Sequence, residues 1–225
     1  MNHLESIFTE MGGEFLCPFS VFEEKVKKIK AFVFDWDGVF NNGEKSPESP
    51  SQYAEGDSMG TNLMRFSKWL TLGKILPITG IITGANNSVA KALADREHFN
   101  FLYMGYKHKI EAIEDLAKNH GLELDEIAFF FDDVLDISAA QACGLRIMIR
   151  RNSSPLFLDY MRKRKHFDYY TATEGGQLAV REVCELIMGV NGNFEETLDK
   201  RVEFKGEYTD YISNRNSTVT QFFTP

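Results

Sequence analysis

Four places in this chain put groups fit for phosphate chemistry at or just beyond the end of a short apolar run. Ala31 to Phe34 leads into Asp35-Trp36-Asp37-Gly38, and Leu76 to Thr83 ends in Thr83-Gly84. Lys109 opens the helical stretch after Asn100 to Tyr103, and Ile127 to Phe131 leads into Asp132-Asp133, with Asp136 one turn further on. Gathered carboxylates raise one another's pKa unless a cation stands among them. A hard divalent ion such as Mg2+, which prefers oxygen ligands, meets that need and also draws in a phosphate. Thr83, with Gly84 beside it, and Lys109 can hold the phosphate oxygens, because phosphoryl transfer is mainly positioning and charge stabilisation. Asp37, a second carboxylate two residues beyond Asp35, can give and take a proton. These parts suffice for a nucleophilic phosphatase. Each alone has a plainer reading: Asp35 or Asp132-Asp133 as a turn or helix cap, Thr83-Gly84 as the N-cap of a helix opening at Asn86-Asn87, Lys109 as a solvated lysine. Their ordered combination carries the argument.

The elements that must position these groups follow from the hydrophobic pattern. The apolar runs at 31–34, 76–83, 100–103, 127–131 and 145–149 read as strands buried on both faces. Between them lie helix-like stretches, one over Ile110, Ile113, Leu116 and Ala117 that stops at Asn119-His120-Gly121, another over Val89, Ala92 and Leu93. Strands alternating with helices imply βαβ units, an α/β fold with a mainly parallel sheet. In such a sheet ligands collect outside the carboxyl ends of the strands. Residues 1–29 read as an N-terminal extension with a short charged helix over 23–30, and 30–190 as the catalytic domain. The segment 41–56, rich in Pro, Ser, Asn and Gly, reads as a loop or poor hairpin. The tail, 191–225, is polar, weakly periodic and spiked with Phe194, Phe204, Tyr208, Tyr211, Phe222 and Phe223. Two placements are open for it: against a neighbouring subunit, where it could close the active-site mouth, or on the chain's own surface.

Bulk properties narrow the field. At 225 residues, 43% hydrophobic and 26% charged, the chain can bury a proper core. A net charge of -8 argues against a nucleic-acid partner, and the one dense basic run, 162–165, is short. Cys17, Cys143 and Cys184 are too far apart for a zinc site and read as reduced thiols. No apolar run approaches the ~20 residues of a membrane span, and no signal pattern opens the chain. The expectation is a cytoplasmic protein without a membrane partner.

The ordered set FVFDWDGV at 32–39, IITGANN at 81–87, GYKHK at 105–109 and FDDVLD at 131–136 resembles the four motifs of the haloacid dehalogenase (HAD) superfamily. The resemblance implies a Rossmannoid three-layer sandwich. It makes Asp35 nucleophile and metal ligand, and Asp37 general acid and base with a backbone carbonyl on the metal. It makes Thr83, Gly84 and Lys109 the phosphate holders, Asp132 a further metal ligand, and Asp133 and Asp136 acidic neighbours around that shell. The implied cofactor is Mg2+. Finer likenesses in DGVFNNG at 37–43, EGDSMGTNLM at 55–64, MGYKHKIEAIEDLAKNHGL at 104–122 and GGQLAVREVCELI at 175–187 point to the capless phosphatases of 3-deoxy-D-manno-octulosonate 8-phosphate, whose relatives act on nine-carbon keto-acid 9-phosphates. That branch implies a small phosphorylated sugar as substrate and a homotetramer in which a neighbour's tail helps enclose it. Departures are Ala85 where the family carries Arg, Phe131 where it carries Gly, and Pro47 and Pro50 in a shortened hairpin region.

Two other readings share some of these features. A response-regulator receiver also gathers acids, a Thr and a Lys, but its acceptor Asp lies on a strand between the acidic pair and the Thr, and no such strand precedes Thr83 here. A HAD fold without turnover, used as a binding module, would suit the altered loop and long tail; retention of every group the chemistry needs speaks against it.

Overall fold

The computed structural model describes residues 2–46 and 50–225; Pro47 of the proline-containing segment lies outside the described residues. The chain opens with α1 (His3–Glu10), β1 (Glu14–Phe15), α2 (Phe19–Lys28) and β2 (Ala31–Phe34). After the 41–54 segment, which has no paired strand among its described residues, come α3 (Glu55–Thr71), β3 (Ile78–Thr83), α4 (Ser88–Arg96) and β4 (Phe101–Met104). Next are α5 (Ile110–His120), β5 (Ile127–Phe131), α6 (Ile137–Ala142), β6 (Leu145–Arg150), α7 (Pro155–Arg164), β7 (Tyr169–Glu174) and α8 (Ala179–Asn191). The tail supplies α9 (Phe194–Glu203), α10 (Glu207–Asn216) and β8 (Gln221–Phe223).

The strands form one sheet in the order β1-β7-β6-β5-β2-β3-β4-β8, parallel throughout except that β1 runs against β7. Because alternate side chains of a strand face opposite ways, β2 serves two cores. Phe32 and Phe34 pack with α2, α3, α4 and α8, and Ala31 and Val33 with α5, α6 and α7. The mainly parallel α/β sheet is the one the alternating pattern predicts, and the three layers without an inserted cap domain are what the resemblance implies. β2 sits in the middle, hydrogen-bonded to β3 on one side and β5 on the other, so the first acidic motif is delivered to the centre of the sheet's carboxyl edge.

The tail packs on its own chain. Tyr208 and Tyr211 join Phe66 and Trp69 of α3 in a separate aromatic cluster, and the Tyr211 hydroxyl donates to the Asn62 carbonyl at 3.1 Å. Arg215 pairs with Glu97 at 3.1 Å, and β8 then adds itself to β4 with Phe223 stacked on Tyr103 at 4.4 Å. All three cysteines are free thiols. Among the described residues no helix is long and apolar enough to cross a membrane.

Candidate active site

Parallel register brings the motifs together. Phe34 pairs with Ile81 of β3 and Phe130 of β5, so Asp35, Thr83 and Asp132 all emerge at one edge. The Asp35 N–H still donates to the Phe130 carbonyl at 2.8 Å, which ties the residue's backbone to the sheet. The chain must then turn away at once. It does so through Gly38, at φ +85, where a β-carbon would collide with the Asp132 carboxylate and the Arg151 guanidinium. Only glycine combines that left-handed backbone with that close approach.

Asp35, Asp132 and Asp136, all buried, each offer an oxygen, and these oxygens lie within 4.8 Å of one another. Lys109 Nζ stands 2.6 Å from Asp35 Oδ1 and 2.5 Å from Asp136 Oδ1. Arg151 Nε donates to Asp132 Oδ2 at 2.7 Å. Asp136 reaches the cluster through a tight turn. The Asp133 N–H donates to its carboxylate at 3.2 Å, while the exposed Asp133 side chain caps Val134 at 2.7 Å and stays outside.

Charge in this pocket is unbalanced. Burial first, and then the Asp136 charge, push the Asp35 carboxyl well above the usual carboxylate range, against the opposing pull of Lys109. Burial and Asp136 likewise push Asp132 up to about 6, with Arg151 opposing. Burial alone would lower the Lys109 pKa, but Asp35 and Asp136 raise it above its ordinary value, so it stays an ammonium. Three carboxylates thus face one ammonium and one guanidinium. The donor set is all oxygen, buried and short of positive charge, and a hard divalent cation fits it.

Asp37 points elsewhere. Its Oδ2 pairs with Lys45 at 2.7 Å and its Oδ1 accepts from the Ser51 hydroxyl at 2.6 Å. Ser51 Oγ itself accepts from Trp36 Nε1 at 3.0 Å and Asn87 Nδ2 at 2.7 Å. A hydroxyl has one proton and two lone pairs, so with both lone pairs engaged the proton is directed at Asp37. Thr83 is fully buried, its hydroxyl accepting from the Ala85 N–H at 3.3 Å. Gly84 is half-buried between them. Phe131, in the place of the family's Gly, is absorbed into the core, stacked on Phe129 at 5.9 Å.

Sequence reasoning missed Arg151, Lys45, Ser51 and Asn87. Arg151 directly follows β6, and the same strand-end argument would have found it. Lys45 and Ser51 sit in an irregular segment with no periodic signal, and only the folded loop brings them to Asp37.

No family model matches the chain. A HAD superfamily (subfamily III A) hydrolase from Legionella pneumophila superposes with a TM-score of 0.68 at 28% identity, covering 82% of this chain and 96% of that one. The fold is that of the HAD-type phosphatases, and it is these that the chain resembles. Its likeness runs to a particular branch. The 3-deoxy-D-manno-octulosonate 8-phosphate phosphatase KdsC of Escherichia coli is 25% identical over 176 residues, covering 76% of this chain and 86% of the relative. The phosphatase of the same substrate from Moraxella catarrhalis, solved with a magnesium ion, a phosphate ion and KDO, superposes with a TM-score of 0.66 at 27% identity, over 83% of this chain and 98% of its own. This chain resembles those enzymes.

Proposed function

We propose that the protein hydrolyses a keto-sugar-acid phosphate such as 3-deoxy-D-manno-octulosonate 8-phosphate, through a phosphoaspartyl intermediate on Asp35 and with Mg2+ as cofactor. The observation that carries this reading is the buried Asp35–Asp132–Asp136 cluster with Lys109 between two of its members. The Moraxella relative's bound magnesium, phosphate and KDO support the metal and the substrate class.

In this mechanism an Asp35 carboxylate oxygen attacks phosphorus and the bond from phosphorus to the sugar oxygen breaks. Asp37 gives the departing oxygen its proton. It then takes a proton from water, whose oxygen attacks the same phosphorus, breaks the bond to Asp35 and releases inorganic phosphate. Lys109 holds the nucleophile and offsets charge on the transferring group; Thr83 and the Gly84 backbone hold its oxygens. Arg151 and Asp136 fix Asp132 and Lys109 in place. Asp35, Asp132 and the backbone carbonyl of Asp37 would hold Mg2+, with Asp136 close by, and the bound ion supplies charge neutralisation around the phosphate.

The test is a panel of sugar phosphates that includes eight-carbon keto-acid 8-phosphates and nine-carbon 9-phosphates, with Mg2+ or with chelator, for wild type and Asp35→Asn. Metal-dependent phosphate release that disappears in Asp35→Asn is expected. Release by Asp35→Asn at the wild-type rate would remove the covalent mechanism. The tetramer implied by resemblance is part of the proposal, and light-scattering mass in solution tests it.

A further inference from the structure

Two clefts flank the groups that hold Asp37, and their charges differ. One, of about 880 Å3, carries Glu44 and Glu174 in its wall. The other, of about 510 Å3, is lined by Lys45, Ser51, Ala85, Asn86, Ser88 and Lys91 among others, and its described lining holds no carboxylate. Both clefts include Lys45 and Ser51, the partners of Asp37, where the leaving oxygen must sit, and only the second continues toward the phosphate site. It runs past Ala85 and Asn86, directly beyond the Thr83-Gly84 phosphate site. It is therefore on the leaving-group side.

Lys45 is already neutralised by Asp37. Lys91 forms no ion pair among the described residues. Its ammonium rests 4.6 Å from the centre of the Phe222 ring, on β8. Small polar side chains and an alanine form much of this wall, and among the described residues Lys91 is its cation without an ion pair. In a chain of net charge -8, a lysine with no ion pair among the described residues, beside a phosphate site, selects for a second negative group on the ligand.

Resting on the phosphatase reading above, we infer that Lys91 is a specificity-determining residue. It receives the carboxylate of an acidic sugar phosphate, and the tail's Phe222 holds it at the cleft rim. This gives the tail a role within its own chain, and it supplies a positive charge on a wall where Ala85 supplies none.

The experiment measures kcat/KM with Mg2+ for 3-deoxy-D-manno-octulosonate 8-phosphate and for a neutral hexose 6-phosphate, in wild type, Lys91→Gln and Lys91→Arg. The ratio of acidic to neutral substrate should fall about tenfold in Lys91→Gln, the size of one charge-assisted hydrogen bond, and should largely return in Lys91→Arg. Phe222→Ala should lower the same ratio by a smaller factor. Added salt should erode the ratio in wild type more than in Lys91→Gln. An unchanged ratio in Lys91→Gln, or an Arg variant no better than Gln, overturns the inference while leaving the phosphatase reading standing. A wild type that releases phosphate from neither substrate overturns both.

Discussion

Lys109 offers the sharpest test of the site's electrostatics. It is buried and holds Asp35 and Asp136 at 2.6 and 2.5 Å. Lys109→Met keeps the side chain as far as Cε and removes its ammonium, leaving three carboxylates against the Arg151 guanidinium. Breaking a buried pair costs about 3–5 kcal/mol. Asp35 and Asp132 already have raised pKa values, so proton uptake relieves part of the strain and the lower end applies. For a chain of this size ~3 kcal/mol corresponds to a fall in Tm of roughly 6–12 °C, measured by calorimetry in chelator. Mg2+ should narrow that gap by supplying charge at the same place. Turnover should fall at least ~100-fold, the loss seen when one preorganised group facing transition-state charge is removed. Adding Asp136→Asn to Lys109→Met should recover part of the Tm, because it deletes the carboxylate left unpaired, and should recover none of the turnover. A Lys109→Met enzyme with kcat within about threefold of wild type would refute the assignment of its charge to the transferring group.

Three further outcomes are expected. Ser51→Ala removes the proton aimed at Asp37 and strands the Trp36 and Asn87 donors, and should lower kcat about tenfold with a smaller change in KM; steady-state kinetics on the best panel substrate reads the split. Gly38→Ala forces a side chain into a left-handed backbone and against Asp132, and should cost at least about 2 kcal/mol, read as a lower Tm together with weaker Mg2+ stabilisation. Asp57, at the start of α3, accepts from the Arg181 N–H at 2.8 Å through one oxygen, while its other oxygen is buried with no close hydrogen-bond partner among the described residues. Burial pushes its carboxyl up to about 6. A raised folded-state value means the stabilisation is full below the ordinary value and lost as pH rises through about 6. The Tm of wild type should therefore gain on that of Asp57→Asn as pH falls from about 7.5 to 5; parallel curves would show that Asp57 does not titrate there.

The central sheet was legible because its strands are buried on both faces and read as unbroken apolar runs. Ala31–Phe34 and Ile127–Phe131 match their expected spans, and Gly121, at φ 62, stops α5 where the sequence places the stop. The outer strands were not. Tyr169–Glu174 has two adjacent aromatics followed by Thr, Ala, Thr and Glu, with no unbroken apolar run, and Glu14–Phe15 and Gln221–Phe223 are too short to carry a pattern. Their pairing depends on partners far along the chain. The same distinction holds within the site. Asp35, Thr83, Lys109 and Asp132 stand at or beside element ends, where a strand-end argument applies. Asp136 was expected as an acidic neighbour of the metal shell, and it stands with Asp35 and Asp132 because a one-turn helix folds it back. Ser51 reaches Asp37 across a segment whose course only packing determines.

The short strands at the two ends of the sheet bear on solubility. β4, which would otherwise present a free row of backbone donors and acceptors, is covered by β8, and the sheet terminates in strands of two and three residues. Edges so brief give a foreign strand little to adhere to. Removing the last few residues should therefore expose Phe101–Met104 as a sticky margin, and the shortened protein should precipitate on concentration where the full chain stays clear.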